Sequence, residues 1–313
     1  MRIFLIWIFW IFLISATPIA WGFYAHSLIN RLAVFSLPEE MIGFYKPQIQ
    51  YITENAVNPD RRRYAVEGEA EKHFIDLDYY GDSALHILPK YWNEAVEKFS
   101  EDSLRANGIG PWSAYFTFLN LTKAFETKNS EAILRLSADL GHYIGDLNVP
   151  LHTTVNYNGQ LTDQVGIHGF WESRVPELQA KDYPLWVGQA EYIEKPQLAL
   201  WEAVAEAHAQ VDSVLSIEKD LTKSFSPDQK YSYEERNNLT VRVYSREFTE
   251  AYALALDSQI ERQMKKSIKM IADFWFTAWV NAGQPDLSTF TKEPLGEEII
   301  VPDAKIKVRG HDN

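Results

Sequence analysis

The sequence predicts an all-α fold: a single multi-helix domain with a short irregular C-terminal tail. Three observations carry that expectation. Apolar residues recur at spacings of three and four through most of the chain, long alternating strand patterns are absent, and no internal repeat or Gly/Ser linker divides the 313 residues. A chain of this length can bury a sizeable core, and with no cysteine the stability must come from that core and from anything it binds.

Taken in order, the first twenty residues stand apart. Arg2, the apolar run 3–14 and Ser15-Ala16-Thr17-Pro18-Ile19-Ala20 read as a secretory signal peptide, residues 1–20, cut before Trp21. The expected location is therefore secreted or periplasmic. The apolar run is shorter than a membrane-spanning helix requires, so no transmembrane segment is expected once the signal is removed. Residues 21–283 form the helical domain, with amphipathic helices predicted over 26–37, 90–99, 112–125, 132–146 and 198–215. The strongest pattern covers 245–280, where Ile260, Met264, Ile268, Ile271, Phe274 and Ala278 share one face beside Arg262, Lys265 and Lys266. Periodicity lapses in the tail, 284–313, which carries Pro285, Pro294 and Pro302 and reads as an extended arm on the surface, with 298–301 able to add an edge strand. The formal net charge of -13 repels polyanions at long range, so no stable nucleic-acid partner is expected.

Chemistry concentrates in the histidines. His142 precedes Asp146 by four residues, His168 precedes Glu172 by four, and His152 lies between the pairs. On a helix, residues four apart stand one above the other, so each pair can close on one cation. Imidazole with carboxylate and no thiolate suits zinc better than calcium or magnesium. A single such pair is as well explained by a surface ion pair, but three histidines grouped with two carboxylates point to metal. Trp21 and His26 taken alone could simply enter the first helix, His73 could be a satisfied core histidine, and Asp60 a turn residue after Pro59.

Together these residues resemble a known family. Trp21-Gly22 with His26, then Asn58-Pro59-Asp60, His73-Phe74-Ile75-Asp76, His142 with Asp146 and His152, and His168 with Glu172 are similar to the zinc-dependent phospholipase C and S1/P1 nuclease superfamily, with nine ligand positions in family order. The resemblance implies a trinuclear zinc site inside the helical domain. One zinc would be held by Asp60, His73, His142 and Asp146. A second would share Asp146 and take His26 with the amino nitrogen and carbonyl oxygen of Trp21. The third would take His152, His168 and Glu172. An amine inside a peptide bond cannot ligate, so removal of the signal would complete the site.

The function expected is hydrolysis of a phosphodiester by a metal-bound hydroxide, since metal lowers the pKa of water from ~15.7 to ~7. The substrate would be a phospholipid headgroup, or nucleic acid as in an S1/P1-type single-strand nuclease or 3'-nucleotidase. Glutamate at position 172, Asn148 and the lack of cysteine resemble the phospholipase branch, whereas the spacing from Trp21 to His26 resembles the nuclease branch. Asp60 is a second candidate proton acceptor, and Phe74 and Asp76 are candidate substrate-binding residues, with Phe74 equally suited to the core. Arg61, Arg62 and Arg63 read as a solvated charge run rather than a phosphate clamp. Open positions on the metals, as in catalytic sites, favour an enzyme over a zinc-stabilised helical binding protein.

Overall fold

The structure, a computed structural model, describes residues 22–236 and 238–290. Its centre is the helix Ser130–Leu147. Asn129 caps it by accepting a hydrogen bond from the Ala132 amide (3.0 Å), and every residue from 137 to 147 is buried. Being buried all round, it must be covered on all sides. Gly110–Glu126, Phe23–Ala33, Ile49–Asn55, Pro196–His208 and Gln259–Asn281 pack around it. Two glycines let Phe23–Ala33 come close. A Cβ at Gly141 would stand 1.8 Å from Asn30 Oδ1, and one at Gly145 would stand 2.9 Å from His26 Nδ1. Asn30 then donates to the Ala138 carbonyl (3.1 Å), tying the two helices together beside the buried histidines.

The all-α expectation holds with one local exception. Tyr231–Arg236 and Leu239–Tyr244 pair antiparallel, Tyr231 opposite Tyr244 and Arg236 opposite Leu239. The signal was present: two runs rich in aromatic and β-branched residues flank Asn237-Asn238, and Asn238 takes the left-handed conformation (φ 62°). The hairpin lays Tyr244 on Phe170, with ring centroids 3.8 Å apart, and so backs the segment that carries Glu172.

Two predicted helices are broken. Residues 245–280 divide into Arg246–Ala255 and Gln259–Asn281 where Asp257 and Ser258 have positive φ, and 198–215 divides between Pro196–His208 and Val211–Thr222. Residues 284–290, the described part of the tail, are irregular and pack on the surface through two anchors. Leu287 and Phe290 are buried, Phe290 meets Phe44 edge-on, and Trp279 Nε1 donates to the Pro285 carbonyl. The signal peptide, Trp21 and the run 298–301 lie outside the described residues. Among the described residues, no helix is long and apolar enough to cross a membrane.

Candidate metal centre

Each element that brings a side chain to the cluster does so for a local reason. His142 and Asp146 share the inner face of the central helix, with Nε2 and Oδ2 3.3 Å apart. Pro150 starts a short 3-10 turn, Pro150–Thr153, which returns His152 toward the same place. Two backbone contacts fasten that turn to the strand-like segment after His73: the Ile75 amide donates to the His152 carbonyl (2.9 Å), and His152 Nδ1 lies 2.5 Å from the His73 carbonyl oxygen. Asp60 is placed by the helix Asn58–Arg62, which Pro59 in the first turn favours. His168 and Glu172 stand four apart as the sequence suggested, but the backbone between them widens into a π turn, Phe170–Arg174, a feature frequent at functional sites.

The result is a single buried constellation of three groups, each with ligand atoms close enough to share a cation: His26 with His142 and Asp146, Asp60 with His73 and His142, and His152 with His168 and Glu172. Asp146 joins them. Its Oδ1 lies 3.3 Å from His26 Nε2 and 3.8 Å from His152 Nδ1, while its Oδ2 lies 2.9 Å from His73 Nδ1 and 3.3 Å from His142 Nε2. Glu172 Oε2 closes the third group, 3.3 Å from His152 Nε2 and 3.1 Å from His168 Nε2. Asp146 is 2 % exposed, whereas the side chains of Asp60 and Glu172 are 19 % and 16 % exposed, so the constellation opens to solvent along that rim.

The donor chemistry fits a divalent cation. His142 and His168 place Nδ1 2.8 Å and 3.0 Å from the carbonyl oxygens of Ala56 and Tyr157, as His152 does with His73. A carbonyl only accepts, so these rings carry their proton on Nδ1 and turn a bare Nε2 inward, the arrangement of a metal-ligating imidazole. Charge is also waiting for a cation. Burial alone would raise the Asp146 and Glu172 carboxyls, yet the facing histidines hold both well below the usual carboxylate range. Burial pushes His73 down to about 4, while His142 is pushed up to about 9 because Asp146 and Asp60 outweigh its burial. Without a metal, a proton on His142 takes the cation's place.

The other residues singled out from the sequence divide. Trp21 lies outside the described residues. Its neighbour Gly22 borders the site, where an added Cβ would stand 3.3 Å from Glu172 Oε1. Phe74 is buried with its ring against Gly108, and Asp76, also buried, receives its backbone support from the Asn107 carbonyl (2.8 Å). The arginine run is not solvated as expected. Arg62 Nη2 lies 2.8 Å from Asp139 and Arg63 Nη1 lies 3.5 Å from Asp60, both inside the protein, because buried carboxylates behind the cluster need counter-charge. Arg61 instead lies over the Phe23 ring. Asn156 and Asn158 brace the loop between His152 and His168, accepting from the Leu161 and Gly166 amides. Glu69, absent from the expected ligands, is four residues from His73 and so repeats the spacing of the other pairs in reverse order.

These features define a class: an all-α protein with a buried, carboxylate-bridged histidine cluster of metal-binding type. No family model and no curated protein matches the chain. Among solved structures, the chain is similar to the alpha toxin from Clostridium absonum, with a TM-score of 0.48 and 13% sequence identity over 87% of this chain and 67% of that one. The chemistry of the site is read from this chain's own side chains.

Proposed function

We propose that this chain is a zinc-dependent phosphodiester hydrolase of the phospholipase C type, exported before it becomes active. The observation that carries the proposal is Asp146, a buried carboxylate whose two oxygens face different histidines, His26 and His152 on one side and His73 and His142 on the other. An arrangement of this kind suits adjacent cations sharing one ligand. Asp60, His73, His142 and Asp146 would hold one zinc, His26 and Asp146 with Trp21 a second, and His152, His168 and Glu172 a third. When bound, zinc supplies Lewis-acid stabilisation of a phosphate and a water that ionises near neutral pH.

The chain's own residues set the rest. Asp146 holds the neighbouring groups in register from a position closed to water, and the partly exposed Asp60 and Glu172 mark the side from which a phosphate would reach the bound metal. Burial alone would raise the Asp60 carboxyl, but His142, His73 and Arg63 lower it, which keeps it ionised as a ligand requires. A lipid is favoured over nucleic acid because the net charge is acidic and repels a polyanion, while Phe74, buried against Gly108, is withdrawn from stacking on either substrate.

The test is to challenge the purified protein in parallel with phosphatidylcholine, phosphatidylethanolamine and single-stranded DNA, each with and without chelator. Chelator-sensitive release of phosphorylated headgroup is expected. Release of nucleotides with intact lipid would move the assignment to an S1/P1-type nuclease, and bound zinc without any hydrolysis would leave a zinc-stabilised binding protein.

A further inference from the structure

His73 enters the cluster the other way round from its neighbours. His142, His152 and His168 leave Nδ1 on a backbone carbonyl, whereas His73 presents Nδ1 to the centre, 2.9 Å from Asp146 Oδ2 and 3.1 Å from His142 Nε2. A ring that gives the Nδ1 lone pair to a cation carries its proton on Nε2. In His73 that nitrogen is buried with no hydrogen-bond partner, and Glu69 Oε1 stands 4.0 Å from it. Asp146 thus lies at the nitrogen a cation would take, and the Glu69 carboxylate lies near the other, just outside hydrogen-bond distance, on the side where the proton must sit when Nδ1 ligates.

Glu69 is well fixed for this task. Lys72 Nζ donates to its Oε2 (2.7 Å), the Tyr143 hydroxyl donates to its Oε1, and Arg62 Nε lies 3.7 Å from the same oxygen. Its side chain is 2 % exposed, so water does not screen the charge. The Tyr143 ring also meets the His73 ring edge-on at 5.5 Å, so one residue braces both partners.

We propose that Glu69 is a positioning residue for His73: its carboxylate holds the ring proton on Nε2 and makes Nδ1 the stronger ligand, as outer carboxylates do for metal-bound histidines. The inference rests on the zinc assignment above. Its test is zinc affinity, measured by competition with a chromophoric chelator at neutral pH, for wild type, Glu69→Gln and Asp139→Asn. Asp139 is the other buried carboxylate on Arg62 and does not face His73, so it controls for loss of the charged network. Glu69→Gln is expected to weaken one zinc roughly 10- to 100-fold, with Asp139→Asn close to wild type. Equal affinity for Glu69→Gln and wild type, or an equal loss in both variants, overturns the positioning role while leaving the zinc assignment intact. A wild-type chain that binds no zinc overturns both. If Glu69→Gln does not fold, NMR of the zinc-loaded wild-type protein decides. A downfield, slowly exchanging His73 Nε2–H is expected, and its appearance at the position of an unbonded ring N–H overturns the proposal.

Discussion

Asp146 and Glu172 are both carboxylates four residues after a histidine, yet their surroundings give them different weight. Asp146 faces four imidazoles from four separate segments, whereas Glu172 faces two. Asp146→Asn should therefore remove more than one zinc per chain, and Glu172→Gln only one. Metal analysis of the two purified variants checks this, and an equal loss would show that Asp146 does not bridge. At this scale the sequence was informative wherever two ligands share one helix, because four-residue spacing is itself the geometry. Asp60 and His73 are a different case. Asp60 has no local mark and His73 only the reversed spacing from Glu69, so the order of residues in the resemblance picked them out where helix spacing did not. The burial of Arg62 and Arg63 was illegible because their partners, Asp139 and Asp60, meet them only through the fold.

The elements position the cluster through close approach. Gly145 is one of two places where Phe23–Ala33 closes on the central helix, and an added methyl there would meet the inner-site histidine His26 and its neighbour Ile29, each at 2.9 Å. Gly145→Ala is expected to cost about 1–3 kcal/mol, the usual penalty for overpacking a tight contact, and to lower zinc content by shifting His26. Thermal denaturation with and without chelator separates the effects: the variant should lose more stability in zinc than in chelator. An equal loss in both would mean that His26 is not a ligand. Helical periodicity revealed the long elements but not their interruptions. Asp257 and Ser258 break a continuous amphipathic pattern with two left-handed residues, which polar side chains tolerate without any Gly or Pro to announce it. The hairpin leaves only a weak mark for a related reason: its alternation is short, and no glycine stands between the two runs.

At the scale of the molecule, charge buried in the histidine–carboxylate cluster makes stability depend on pH and metal together. The folded pKa of His142, about 9, lies above its ordinary 6.5. Its contribution is thus fully present below pH 6.5 and is lost as pH rises toward about 9. His152 is shifted up in the same sense, because Asp146 and Glu172 outweigh its burial. His73, at about 4, is neutral in both states across that window and drops out. In chelator, the melting temperature should fall between pH 6.5 and 9. The increment gained from added zinc should grow over the same range, since zinc competes with protons for the same nitrogens. A flat profile in chelator would contradict the raised His142. The helical architecture itself was legible from periodicity and the lack of strands or linkers, because one buried helix surrounded by amphipathic ones leaves that pattern along the whole chain.

The most direct measurement is anomalous X-ray scattering at the zinc edge from crystals of the exported protein purified without chelator. Three peaks around Asp146 are predicted: one beside His26, one among Asp60, His73 and His142, and one at His152, His168 and Glu172. No peak there, or zinc bound only at other residues, would contradict the account.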